Sequence, residues 1–252
     1  MEQFTNIPRD RARLLSVTTK EAGVWLNALP STTLGIRLDN DSLRIAVALR
    51  LGAAICSPHV CQCGQEVDTF GLHGLSCQRS SGRRSRHEAL NEIIRRALVS
   101  AGVPSILEPP GTSRDDGKRP DGMSLIPWKE GKSLVWDATC VDTLATSHVP
   151  ITSVEAGAAA KRAEYRKLNK YQSLATNFIF VAFGVETLGA WGPAAKSLVK
   201  EIGLRLGDKT EEIRSGQFLQ QRISIAIQRG NAASIMATLP ASRALDEIYF
   251  LI

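Results

Sequence analysis

The chain has 252 residues, 43% of them hydrophobic, and a formal net charge of +6. That length and composition support a real core in one large domain or two small ones, and exclude a chain too polar to fold. No apolar run reaches the roughly eighteen residues of a membrane span, and the opening MEQFTNIPRDRARLL is polar where a secretory leader would be apolar. A soluble protein of a reducing, intracellular compartment with no membrane partner is expected.

The first fifty-five residues read as packing helices, with apolar residues at helical spacing over Glu21 to Leu29 and Leu43 to Leu51, broken at Pro30 and capped within Asp39 to Ser42. A Cys/His cluster follows, then a Ser/Arg-rich joint from Gln78 to Arg86. Glu88 to Ser100 reads as a helix with an apolar stripe of Leu90, Ile93, Ile94, Ala97 and Leu98. Three short strands come next, at Ser105 to Glu108, Arg119 to Trp128 and Ser133 to Asp142, the last two joined by a hairpin turn at Glu130-Gly131-Lys132. The spacing then predicts a long helix over Val154 to Ala175, a strand over Phe178 to Val185, and helices at Pro193 to Leu206 and Glu211 to Ala237. From residue 87 the order is helix, three strands, helix, strand, helix, an α/β class.

Five cysteines are present, and Cys56, Cys61, Cys63 and Cys77 crowd together with His59 and His73. Such a cluster in a reducing compartment points to a metal site rather than to disulfides. Cys61, Cys63, His73 and Cys77 form C-x-C-x9-H-x3-C, which draws two ligands from each end of a short loop, as tetrahedral zinc requires. Cys56 or His59 is the alternative for one ligand. Three thiolates and an imidazole close the coordination shell, so zinc here would be structural. Cys140, in an apolar strand, reads as a small core residue.

The chemistry falls between residues 108 and 171. Asp121 follows Pro120 in KRPDG, and Asp137 sits among apolar neighbours in SLVWDATCV. A carboxylate inside a hydrophobic strand is costly unless compensated, and a hard cation, Mg2+ or Mn2+, compensates it well. A hairpin would bring both aspartates to its open end. At 100° per residue, Ala160, Lys167, Tyr171, Leu174 and Phe178 share the stripe of the long helix that faces the sheet, with Glu164 beside them, so Lys167 points inward. Lys170 lies about 60° off that stripe and Lys161 is a weaker candidate. Glu92 and Glu108 are additional acidic candidates, and His87 either orients a carboxylate, contacts a phosphate or caps the helix. Arg79, Arg83, Arg84, Arg86 and Arg119 are basic residues placed to contact a nucleic-acid backbone, although the arginine run also suits a solvated linker.

With KRPDG on one strand and WDATC on the next, this order resembles the PD-(D/E)xK, or restriction-like, nuclease superfamily. The upstream Cys-Cys-His-Cys knuckle, the Arg86-His87 pair and the Lys167 to Tyr171 run (K-x-x-K-Y) resemble more narrowly the C-terminal endonuclease of site-specific non-LTR retrotransposons. The resemblance implies an αβββαβ core with a mixed sheet flanked by helices. The chain would then divide into an N-terminal helical region (1–55), a zinc knuckle (56–80), a nuclease core (81–190) and a C-terminal helical extension (191–252). It further implies a Mg2+-dependent nuclease of the nucleus that nicks target DNA to prime reverse transcription, partnered by element RNA and a reverse transcriptase. Asp121 and Asp137 match the two acidic positions; Thr139 stands where the usual lysine would be, and in this family the basic residue moves to the following helix, onto Lys167 or Lys170. The chain has neither the length nor the motif of a reverse transcriptase, so it reads as a fragment, a degraded copy or a separately encoded nuclease. A nuclease fold that binds nucleic acid without cutting it is the alternative.

Overall fold

The computed structural model describes residues 6–110 and 119–239. Lys118 of the KRPDG motif, residues 1–5 of the predicted N-terminal region and residues 240–252 of the predicted C-terminal extension lie outside them.

Helices α1 (Pro8–Val17) and α2 (Asn40–Leu51) bracket a 3-10 segment at Glu21–Asn27. That segment, expected to be α-helical up to Leu29, ends early at Ala28, whose backbone is already extended two residues before Pro30. α2 begins where the Asp39 carboxylate accepts the Ser42 amide at 2.8 Å and ends at left-handed Gly52. A two-stranded hairpin, β1 (His59–Val60) with β2 (Glu66–Val67), and the one-turn helix α3 (His73–Ser76) build the cysteine-rich region.

Helix α4 runs over Ser81–Ser100 and packs along the last helix, α8 (Ser215–Met236). Its first turns correct the expected Gln78 to Arg86 joint, which is helical from Ser81 onward. The cause is tertiary: Gly82 lies so close to α8 that a Cβ there would sit 2.3 Å from the Ser234 nitrogen, and the Arg86 side chain is buried in the same seam.

Strands β3 (Ser105–Leu107), β4 (Gly122–Lys129), β5 (Lys132–Val141) and β6 (Ile179–Glu186) form one mixed sheet in that order; β3, β4 and β5 are antiparallel and β6 is parallel to β5. The hairpin closes tighter than the sequence suggested. Lys129 pairs with Lys132, leaving Glu130-Gly131 as a two-residue loop with φ of 50° and 70°, the left-handed pair that matches strand twist. The parallel β5–β6 step needs a crossover, supplied by α5 (Val149–Thr152) and α6 (Ala158–Lys170). The expected single helix over Val154 to Ala175 is shorter, because left-handed Gly157 starts it late and a 3-10 turn at Gln172–Thr176 follows it.

Alternation along β5 divides the molecule. Leu134, Trp136 and Ala138 face a core shared with Leu90, Ile94 and Leu98 of α4, Leu198 and Ile202 of α7 (Pro193–Thr210), and Ile223 and Ile227 of α8. Asp137 alternates to the other face, which α6 covers. A second cluster joins α1, α2, α8 and the cysteine-rich region through Ile45, Leu49, Val67, Leu75 and Ile235.

Two buried glutamates cap helix N-termini. Glu186 accepts the Ala159 and Ala160 amides at 2.9 and 3.2 Å, and Glu164 accepts those of Ala194 and Ala195 at 3.1 and 3.0 Å as well as Gly184 at 3.2 Å. Burial pushes the Glu186 carboxyl above its ordinary 4.5 despite those amides. Above that ordinary value the unfolded chain has released a proton that the native chain still holds, so stability falls as pH rises through the raised native value. Glu186→Gln removes this dependence while keeping an oxygen for the amides. Its urea midpoint is therefore expected to gain on wild type between about pH 5 and about pH 8; equal gain at both values would show that Glu186 does not carry the effect.

Candidate carboxylate site and metal centre

At the end of the sheet where β4 begins, Gly122 packs face to face with Trp136, and a Cβ on Gly122 would lie 2.0 Å from the indole. The indole nitrogen in turn donates to Asn91 Oδ1 of α4 at 3.1 Å. This contact fixes the chain at Asp121, whose own amide donates to the Trp136 carbonyl at 3.0 Å. Gly122→Ala is expected to cost roughly 2 kcal/mol, read from urea unfolding, by forcing the indole out of the seam.

Asp121 then does what a strand neighbour would do. Its Oδ2 accepts the backbone amide of Ala138 in β5 at 2.6 Å, and accepts His87 Nε2 of α4 at 3.0 Å. Asn91, one helical turn after His87, lies 3.4 Å from the His87 Nε2. From β5 itself, Asp137 Oδ1 accepts Lys167 Nζ of α6 at 2.5 Å, with the Asp137 side chain 3% exposed and that of Lys167 28%. Three separate elements, the start of β4, the middle of β5 and the face of α6, thus bring Asp121, Asp137 and Lys167 together, with His87 from a fourth.

The electrostatics are those of two acids held close. Burial, and after it the charge of Asp121, pushes the Asp137 carboxyl above the usual aspartate range, against the pull of Lys167. Burial works on Asp121 in the same direction but is outweighed by His87 and the Ala138 amide, which hold it below that range. The hydrogen bond to Asp121 raises His87, against burial.

Lys170 stands one step away: its amine donates to the Tyr171 hydroxyl at 2.9 Å and lies 4.4 Å from the centre of that ring. The Tyr171 hydroxyl, which donates to the Arg119 carbonyl at 3.1 Å, is near enough to Asp137 to lower its carboxyl. Lys161 is exposed and pairs with Glu155. Asn91 is a site residue that the sequence did not single out, and Tyr171 one that it named on the inward stripe without giving it a role. Their signals were the i, i+4 spacing from His87 and the shared stripe with Lys167.

Several other candidates lie elsewhere. Glu92 is bound by Arg95 at 2.8 Å and Arg96 at 2.6 Å, which hold its carboxyl down to about 2, and it does not join the aspartates. Glu108 lies next to Asp121 in the sheet, since its amide donates to the Asp121 carbonyl at 2.8 Å, but its exposed side chain pairs with Arg119. His87 is not a helix cap, because α4 begins six residues before it. Of the basic run, Arg86 is corrected outright: it is 2% exposed and donates to Asn231 Oδ1 at 2.6 Å, so it cannot serve as a surface phosphate contact. Arg79 and Arg83 brace the cysteine-rich loops through the carbonyls of Gln62 and Ser76, and Arg84 is an exposed partner of Glu88.

The candidate metal centre, a group of four side chains that could hold an ion, is built from two short pieces. Cys61 and Cys63 lie in the turn between β1 and β2, tightened by the Gly64 amide donating to the Cys61 carbonyl at 2.8 Å, with Gly64 left-handed. His73 and Cys77 bracket α3, one helical turn apart, so both point to the same side. The four ligand atoms lie within 4.8 Å of one another, with Cys61 Sγ 3.9 Å from Cys77 Sγ and Cys63 Sγ 3.1 Å from His73 Nε2. Sulfurs each about 2.3 Å from a tetrahedral zinc would stand about 3.8 Å apart, so this donor set fits that ion. The Gln65 amide, chief among the causes, lowers the Cys63 thiol. Cys56 and His59 are not ligands here: the Cys56 thiol sits 3.5 Å from the Asp68 carbonyl, and His59 bonds to Ser57 and Thr238. No protein-family model matches the chain, and no curated protein matches it.

Proposed function

We propose that this chain is a divalent-metal-dependent DNA endonuclease with a restriction-like αβββαβ core and a structural zinc knuckle, akin to the nickase of a non-LTR retrotransposon. The observation that carries the reading is the meeting of Asp121, Asp137 and Lys167, from three elements far apart in the chain, at one end of the sheet. A buried carboxylate, Asp137, and a partly exposed one, Asp121, near enough for the charge of the second to raise the first, would be an oxygen-only donor set that suits Mg2+ or Mn2+. Such an ion neutralises charge on the scissile phosphate and acidifies a water molecule.

The chain's own residues have distinct tasks. Asp121 and Asp137 would hold the ion. The Lys167 ammonium, anchored on Asp137, stabilises the charge that gathers on the phosphate oxygens. His87, steadied by Asn91, keeps Asp121 in its orientation. Target DNA, element RNA and a reverse transcriptase would be the partners, and the nucleus the place of action.

One observation favours a second reading, a binding module that does not cut. Each aspartate already has partners within the chain, Ala138 and His87 for Asp121 and Lys167 for Asp137, as a purely structural network would. Conversion of supercoiled plasmid to open circle decides between them. The hydrolase reading expects nicking with Mg2+ or Mn2+ and none with Ca2+; a protein that retains DNA but never nicks it with either ion is the second.

A further inference from the structure

On the flank of α4 away from His87 lies a groove of about 420 Å³ between α4 and α8. Arg96 of α4 and Arg222 and Arg229 of α8 line it, with the buried Arg86 at its base, against a single carboxylate, that of Glu92. Arg96 lies nine residues after His87, about 180° around the helix, so this groove and the carboxylate site are separate.

Four guanidiniums border one acid; Arg229 is held by the carbonyls of Gly35 and Arg37 and Arg86 by Asn231, and the acid is already shared, since Glu92 is held by both Arg95 and Arg96. Arg222 is half-buried and, among the described residues, makes no hydrogen bond or ion pair, while burial and the nearby Arg96 both disfavour its charge. Arg86 is 2% exposed, and its Nε has no hydrogen-bond partner among the described residues. The seam is shaped to hold that side chain, since a Cβ on Gly230 would lie 2.4 Å from the Arg86 Cβ. Arg222, with its donors unspent beside the like charge of Arg96, suits an anion that is not part of the chain.

We propose that this groove binds the phosphodiester backbone of nucleic acid flanking the cleavage site, with Arg96 and Arg222 as the principal phosphate contacts. Planar guanidinium forks match phosphate oxygens, and a groove open along two helices admits a continuous polyanion. The proposal extends the nuclease reading to a second contact surface, and its failure is separable from failure of that reading.

The test is fluorescence anisotropy of the full chain, with Ca2+ in place of Mg2+, against a short duplex DNA and a single-stranded RNA of equal length over a salt series. The Arg96→Ala/Arg222→Gln double variant is expected to bind duplex roughly tenfold more weakly, with the log–log salt slope reduced by about 1.8, two phosphate contacts' worth. For single-stranded RNA the reduction is about 1.4, so the two arms show which polymer the groove takes. Because Arg222 is half-buried, Arg96→Glu alone, at an exposed position and with an unchanged melting temperature, must also weaken binding. An unchanged slope in both variants overturns the proposal, as does displacement of the nucleic acid by poly-glutamate at equal charge concentration, which would mark an acidic protein as the partner. Binding that depends on the two arginines in a chain that never nicks sinks the hydrolase reading and leaves the groove standing.

Discussion

Asp137→Asn is expected to lower metal-dependent nicking by at least about a thousandfold, with binding to DNA intact. The asparagine keeps the shape of the side chain and an oxygen for Lys167, so the sheet should tolerate it; what disappears is the negative charge that a dication needs. Lys167→Met is expected to cost about a hundredfold or more, and Lys170→Met less than about tenfold, because Lys167 donates to Asp137 itself while Lys170 donates to the Tyr171 hydroxyl. A simple loss of folding is separable from a loss of chemistry. Lys167→Met leaves the buried Asp137 carboxylate unpaired and so should lower the melting temperature, whereas the Asp137→Asn/Lys167→Met double variant should recover it without recovering nicking. An Asp137→Asn protein that nicks within about tenfold of wild type would end the hydrolase assignment.

How much of this was legible in the residues differs between fold and site. Periodicity found every strand of the main sheet to within three residues at the ends, because β-branched and aromatic runs between turn signals are local features. It failed where tertiary contacts decide. The first turns of α4 look like a linker, since Gly82, Arg83, Arg84 and Ser85 are poor predictors of a buried face, and only the close approach of α8 makes Gly82 and Arg86 interior. The same blindness made Arg86 look like a surface cation. Lys167 could be placed inward from a wheel because its stripe contains Ala160 and Tyr171, both buried. Asn91 could not be found in this way, as its partner Trp136 lies in another element and a polar residue on an amphipathic helix normally means solvent. The ligand spacing of the knuckle was readable because both of its halves are short and local. The exclusion of Cys56 and His59 was not, as it depends on carbonyls of Asp68 and Ser57 and on the hydroxyl of Thr238, contacts that no local spacing encodes.

Removing zinc should have consequences beyond the knuckle. Cys61, Val67, Leu75 and Cys77 share a core with Ile45 and Leu49 of α2 and Ile235 of α8, and Arg83 in the first turn of α4 is tied to the Ser76 carbonyl. If the cluster holds zinc, its removal would take from three buried or half-buried thiols and an imidazole the cation joining the two halves, and the hairpin has little else, since β1 and β2 are two residues each. Cys77→Ser is therefore expected to abolish retention of equimolar zinc and to destabilise the chain by about 3 kcal/mol or more. Cys56→Ser, whose sulfur faces the Asp68 and Thr69 carbonyls rather than the ligand group, should keep the metal. Loosening α4 near Arg83 also loosens His87, one turn further along, so zinc-stripped protein should nick poorly and should be restored by zinc but not by added Mg2+. A chelated chain that is free of zinc yet melts at the wild-type temperature would show that the four ligands converge for some other reason.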